Sequence, residues 1–218
     1  MYYVKNDTDL TFTFGSADYG RIAYNARIIE DKEGNSTFKN ETDILKDDFL
    51  FEYVNNKYRL IAYLGKNDRV VLPTDINGQS YVIDHMRGVI NVGIPEGVTS
   101  IGDYAFYDCS SLTSVTFGGN GQLTSIGIYA FEYCSSLTSV EIPSSVTSIG
   151  WGAFEYCSKL TKVYYGGNLE EWAKISMEYG NNKLTEATRY YYSEEKPTMD
   201  GNYWHYDENG NVVEWGLI

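Results

Sequence analysis

Three cysteines, two histidines and a scatter of carboxylates are the residues of this 218-residue chain that could do chemistry. Closely spaced thiolates and imidazoles hold zinc or activate a nucleophile. Cys109, Cys134 and Cys157 instead fall 25 and 23 residues apart, with no Cys-x-x-Cys pair, and neither His85 nor His205 is spaced to join them. Three thiols cannot all pair. They read as a buried ladder of small hydrophobes. Ser100-Ile101-Gly102 resembles the end of a nucleophile elbow, but Val98 stands where the elbow needs glycine. The same tripeptide returns at Ser125 and Ser148, so it belongs to a repeat. His205 lies between Trp204 and Tyr206 on an expected strand, where a structural role outweighs catalysis. Asp47-Asp48 and Glu194-Glu195 are carboxylate pairs of the kind glycoside hydrolysis uses, yet both sit in polar runs that read as solvated surface. Asp31–Asn35 and Asp207–Asn211 carry oxygens suited to calcium, but neither completes an EF-hand loop, and both read as Gly/Asn turns. A phosphate loop and a dinucleotide fingerprint are both missing. No enzyme activity, metal or cofactor is expected; what remains is recognition by a surface.

The elements that carry such a surface come from an internal repeat. Residues 98–115, 123–140 and 146–163 share the pattern apolar-Thr-Ser-Ile-Gly-x-x-Ala-Phe-x-x-Cys-Ser-x-Leu-Thr-x-Val. The length difference lies in Gly118–Gln122, which replaces Pro143–Ser145 of the next unit, and a stack of coils tolerates such a change well. Leu112, Val115 and Phe117 recur as Leu137, Val140, Ile142 and as Leu160, Val163, Tyr165, the spacing of a leucine-rich-repeat strand. The Ser-Ile-Gly step predicts a second short extended piece, with Gly102, Gly127 and Gly150 allowing the next corner. Ala-Phe-x-x-Cys puts Phe106 and Cys109 three apart, which predicts one inward-facing helical turn. A single coil cannot bury that face; stacked coils can, Phe on Phe and Leu on Leu.

If Leu, Val and the next apolar residue point inward, the residues between them point out. On the strand face these are Ser114, Thr116, Ser139, Glu141, Lys162 and Tyr164, a polar strip that changes from rung to rung. On the turn face the variable positions are Tyr104, Tyr107, Tyr129, Tyr133, Trp151 and Tyr156, with Asp108, Glu132 and Glu155 among them. A row of exposed aromatics suits sugar-ring stacking or a protein partner, and equally suits covering neighbouring coils. The rung variety favours binding over a mere spacer; Glu141→Lys with Tyr164→Ala is expected to leave folding intact and weaken any ligand, and unchanged affinity would move the site to the turn face.

Both ends read as caps, which a solenoid needs because its terminal coils expose apolar faces. Phe49–Val54 and Tyr58–Leu64 alternate as a hairpin around Asn55–Lys57, and Arg69–Leu72 predicts a third strand. Asn168 can cap a short helix over Leu169–Ile175, and Tyr203–Tyr206 with Val212–Trp215 predicts a second hairpin. Residues 31–48 are polar and read as an exposed loop. The net charge of −13 argues against nucleic acid and anionic lipid. No stretch approaches the ~20 apolar residues of a membrane span. Met1–Lys5 lacks the features of a signal peptide, so the chain is expected to be intracellular or a piece of a longer exported protein.

The repeat from Ile94 through Val115, with Ile94-Pro95-Glu96-Gly97 leading into the shared pattern, resembles the BspA-like leucine-rich repeats of bacterial surface proteins, specifically over residues 94–165. Tyr19–Ala26 resembles the closing turn of a preceding block, Phe51–Ile83 the strand-rich opening of a new one, and Tyr165–Trp172 with Tyr191–Tyr206 a closing segment. The organisation read is thus 1–48 as the end of a preceding block and a polar loop, 49–90 as a strand-rich cap, 91–165 as repeat coils, and 166–218 as a cap of short helix plus hairpin. The family departs at Asp84–Val92, where a further Ala-Phe-x-x-Cys turn is expected. The resemblance implies an α/β right-handed solenoid with parallel strands on one face and short helical or irregular turns opposite. It also implies export to the cell surface and adhesion to a host or bacterial surface protein or glycan. The alternative is a structural spacer in a long surface protein, with no ligand of its own.

Overall fold

A computed structural model of the chain describes residues 49–63, 69–84, 86, 89–117 and 122–216, with the backbone of five strands before residue 47. Four of those strands, β1 (Tyr2–Asn6), β2 (Asp9–Thr13), β3 (Arg27–Glu30) and β4 (Ser36–Phe38), form an antiparallel sheet. The fifth, β5 (Ile44–Lys46), pairs with β6 (Phe49–Val54), which turns at Asn55-Asn56 into β7 (Lys57–Tyr63). Strands β4 and β5 thus fall inside the segment read as a loop; short apolar steps such as Ile44-Leu45 suffice when a neighbouring edge is open. The readings at Tyr19–Ala26, Asp31–Asn35, Asp47-Asp48, His85 and Gly118–Gly121 lie outside the described residues.

From β8 onward the strands alternate between two parallel sheets. In order they are β8 (Arg69–Val71), β9 (Tyr81–Ile83), β10 (Asn91–Ile94), β11 (Val98–Ile101), β12 (Ser114–Phe117), β13 (Ser125–Ile126), β14 (Ser139–Ile142), β15 (Ser148–Ile149) and β16 (Lys162–Tyr165). Helix α1 (Leu169–Trp172), β17 (Ser176–Met177), α2 (Asn182–Glu186), β18 (Thr188–Tyr192), β19 (Tyr203–Tyr206) and β20 (Val212–Glu214) complete the chain. Even-numbered strands β8 to β18 make one sheet, extended by β19 and β20; odd-numbered strands make the other, extended by β7, β6 and β5.

The register repeats the sequence. Val92, Val115, Val140 and Val163 are partners along one sheet, and Ile101, Ile126, Ile149 and Met177 along the other. Alternate residues are buried, so each sheet contributes one face to a core between them. Phe106, Phe131 and Phe154 stack through it at 4.9 and 5.0 Å. The parallel ladder begins before residue 91 and runs past 165: β8 pairs in register with β10, β9 pairs with β11 with a shift between Val98 and Ser100, and β18 and β19 continue beyond β16. The unmatched turn at Asp84–Val92 still fills its place. Met86 donates its N–H to Ala105 O at 2.6 Å, as Phe106 does to Ala130 O, and Met86 and Val89 are fully buried where the next coil holds Phe106 and Leu112.

The third side of each coil corrects the helical expectation. It is a run of tight turns: Ala105 N–H to Gly102 O, Tyr107 to Tyr104 and Cys109 to Phe106. Tyr104, Phe106 and Asp108 then donate to Ile128, Ala130 and Glu132 of the next coil, which leaves no room for an i→i−4 pattern. Tyr104, Asp108, Tyr129, Tyr133 and Tyr156 hold left-handed φ values of 54–60° to keep this ladder. Among the described residues helix is confined to α1 and α2, so the fold is a parallel-strand β-solenoid whose coils carry tight turns in place of the expected helical turns. The corner glycines also work differently from expectation. A Cβ on Gly127 would lie 2.5 Å from Asp103 N, and one on Gly150 2.7 Å from Ile128 N. Close approach of successive coils excludes a side chain there.

The cysteine column is a ladder of S–H donors as well as packing. Cys109, Cys134 and Cys157 each donate to the carbonyl of Met86, Phe106 and Phe131 in the coil before, at 3.1–3.2 Å. Burial holds the Cys134 thiol far above its ordinary value and pushes Cys157 up to about 12. After the last coil, Asn181 takes over the ladder: its Oδ1 accepts from Phe154 N–H and its Nδ2 donates to Gly150 O and Glu178 O.

Candidate functional site

The strand-face strip is only partly open. Ser114 donates to Asn91 Oδ1 and Thr116 is exposed; Ser139 is half-buried. Glu141 is 5% exposed, its Oε2 accepting from Phe117 N–H at 3.2 Å and from Tyr206 OH at 3.0 Å. Lys162 Nζ and Tyr164 OH both reach Glu214 Oε1 at 2.6 Å. The β19–β20 hairpin therefore folds back over β14 and β16 and engages three of the six positions. Replacing Glu141 with Lys and Tyr164 with Ala would break these bonds, so that pair is not a neutral probe of the surface. Burial first, opposed by the bonds from Phe117 and Tyr206, pushes the Glu141 carboxyl up to about 7.

The turn face gathers all six of its expected rings. One row runs Tyr104–Tyr129–Trp151, with centroids 5.4 and 6.1 Å apart. The other runs Tyr107–Tyr133–Tyr156 at 5.8 and 4.6 Å, the last pair stacked within 8°. Tyr104 and Tyr107 join the rows at 5.8 Å. Trp151 and Tyr156 are half-exposed, and Tyr104 and Tyr133 are exposed at 41%. Tyr129 lies against Gly152, where a Cβ would meet its ring at 2.6 Å. Two carboxylates stand among the rings. Burial first, and Glu155 second, push Glu132 up to about 7. The face thus offers aromatic planes with a recessed acidic centre.

His205 and Asp207 each have partners within the fold. His205 stacks on Trp215 at 3.9 Å. Asp207 accepts from Asn209 N–H and from the backbone and side chain of Asn211, which closes a turn with Gly210 at φ 77°. Among the described residues, no cluster of three His, Cys, Asp or Glu could hold a metal, and no helix is long and apolar enough to cross a membrane. Sequence reasoning missed Tyr192, Trp204, Tyr206 and Glu214 as partners of the strand face. The signal was the aromatic density of Tyr203–Tyr206, but the reach from Tyr206 to Glu141 spans 65 residues.

A solved structure shares this fold. A leucine-rich repeat protein from T. pallidum superposes with a TM-score of 0.54 at 23% identity, covering 69% of this chain and 71% of that one. A leucine-rich repeat protein from Bacteroides capillosus gives 0.47 at 24% identity, covering 58% of this chain and all of that one. A leucine rich cell surface protein from Faecalibacterium prausnitzii gives 0.43 at 22% identity, covering 81% and 61%. No curated protein matches significantly. The model of the BspA type leucine rich repeat region matches six copies over residues 79–188, more than the three units evident in the sequence and just over half of the chain. The chain therefore belongs to the bacterial BspA-type leucine-rich repeat family.

Proposed function

We propose that this chain is a non-enzymatic recognition module of the bacterial cell surface that binds a protein or glycan through the turn face of its solenoid. One observation carries the reading. Tyr104, Tyr129, Tyr133 and Tyr156 sit at left-handed φ, where a β-carbon costs roughly 1–2 kcal/mol. Gly152 occupies the equivalent of Tyr104 and Tyr129, so the backbone does not require a ring there. Aromatic residues at strained, exposed positions in three successive coils are better explained by a ligand than by the fold. Membership of the family is what supports the surface location.

The test is binding of the purified chain to an array of mammalian matrix proteins and glycans, beside a Tyr133→Ser/Tyr156→Ser variant. Loss of a wild-type hit in the variant, with its melting temperature retained, supports the turn face. A wild-type hit that survives in the variant refutes it. A blank at micromolar protein favours the spacer reading.

A further inference from the structure

The C-terminal hairpin leaves a cleft of about 650 Å³ where it crosses the strand face. That is within the roughly 300–1,000 Å³ that holds small organic ligands. Glu141 lines it, and while Oε2 takes two hydrogen bonds, Oε1 has none among the described residues. Tyr164, Tyr192, Trp204 and Tyr206 supply walls. The Trp204 ring meets those of Tyr192, Tyr206 and Tyr164 at 74°, 82° and 61°, with centroids 4.8–5.8 Å apart. Rings at such angles pack edge-to-face around Trp204 and give the cleft an aromatic wall. Glu194 adds a second carboxylate, and among the described residues no Lys, Arg or His lines the space. The nearby Lys162 is held by Glu214.

We propose that this cleft binds an organic ammonium group, carried by a lysine side chain of a partner or by a small free amine, with Glu141 as counter-ion and the aromatic rings as its wall. A carboxylate oxygen that faces the cleft with no hydrogen bond gains most from a ligand that brings both a proton donor and a positive charge. Aromatic faces add cation–π attraction, strongest for desolvated cations. A neutral sugar supplies donors but no charge, and would leave two carboxylates uncompensated. None of the turn-face rings lines the cleft, and the site stands independently of them.

The experiment titrates the intact protein at pH 8 with Nα-acetyl-lysine-N-methylamide, n-butylammonium, n-butanol and methyl glucoside, read by NMR at the Trp204 indole. The two ammonium probes are expected to saturate a site and the neutral probes not. Glu141→Gln keeps an acceptor for Phe117 and Tyr206, and is expected to weaken the ammonium probes about ten- to a hundredfold. Tyr192→Ala, at a half-exposed wall, is expected to weaken them severalfold, and Tyr133→Ser/Tyr156→Ser not at all. A stronger lysine probe points to a partner's side chain, and equal binding to a free amine; both support the cation site. Equal binding of butanol or methyl glucoside, unchanged affinity in Glu141→Gln, or no saturable binding by any probe would overturn it.

Discussion

Replacing Glu141 with Gln should make the protein more stable at neutral pH and leave it unchanged in acid. The carboxyl has an ordinary value of 4.5 and is pushed up to about 7 in the fold, with burial the largest cause. A folded-state value above the unfolded one means that the native state holds the proton longer. Stability from this group is therefore fully present below about pH 4.5 and is lost as pH rises through 7. At about 1.36 kcal/mol per unit, the loss is on the order of 3 kcal/mol across that window. The amide of the Glu141→Gln variant could still accept from Phe117 N–H and Tyr206 OH but carries no charge to desolvate. Glu132, also pushed up to about 7, titrates in both proteins and cancels in the difference. The assay is urea unfolding of both proteins at pH 4 and pH 8. Near-equal stability is expected at pH 4, and a variant more stable by about 2–3 kcal/mol at pH 8. A difference independent of pH, or a variant less stable at pH 8, would rule out a desolvated Glu141 carboxylate.

Other consequences follow from particular contacts. Gly127→Ala should destabilise by about 1–3 kcal/mol or more, measured by thermal unfolding, because the new methyl meets the backbone of Asp103. The three thiols should react with an aromatic disulfide reagent only after denaturant is added, since all are buried and the Cys134 and Cys157 thiols are held well above their ordinary value; fast labelling of the native protein would contradict the ladder. Glu214→Gln should cost under about 1 kcal/mol globally, because its pair with Lys162 is partly exposed. It should nevertheless speed amide exchange in residues 203–214 severalfold.

The solenoid is legible in the sequence because its signal is local and repeated. Val115, Val140 and Val163 announce one stacked position three times, and the structure makes them partners. Asn168 is legible as a cap for the same reason: its side chain and that of Glu171 close a capping box within four residues. The turn geometry is not legible, because Phe-x-x-Cys spacing fits a helical turn and a run of tight turns alike. Hydrogen bonds between coils, such as Phe106 N–H to Ala130 O, decide between the two, and no single repeat contains them. Turn-face residues Tyr133 and Tyr156 can be placed on one surface from their period, and they stack. Glu141 and Tyr164 read wrongly as solvated positions because what covers them arrives from the far end of the chain. Met86 shows the opposite case: its sequence looks like a break in the repeat, yet it fills the Phe position by size and burial.

Recognition by the turn face is best decided by hydroxyl-radical footprinting of the tyrosine and tryptophan rings, with and without a partner captured on the array. In the free protein, strong oxidation is expected at Tyr133, Trp151 and Tyr156, and little at the buried Tyr81, Tyr165 and Trp204. On addition of the partner, Tyr104, Tyr133, Trp151 and Tyr156 should be shielded together while exposed Tyr192, on the strand sheet, stays reactive. Turn-face rings that remain fully reactive in the complex, with protection appearing elsewhere, would show that the partner docks on another surface.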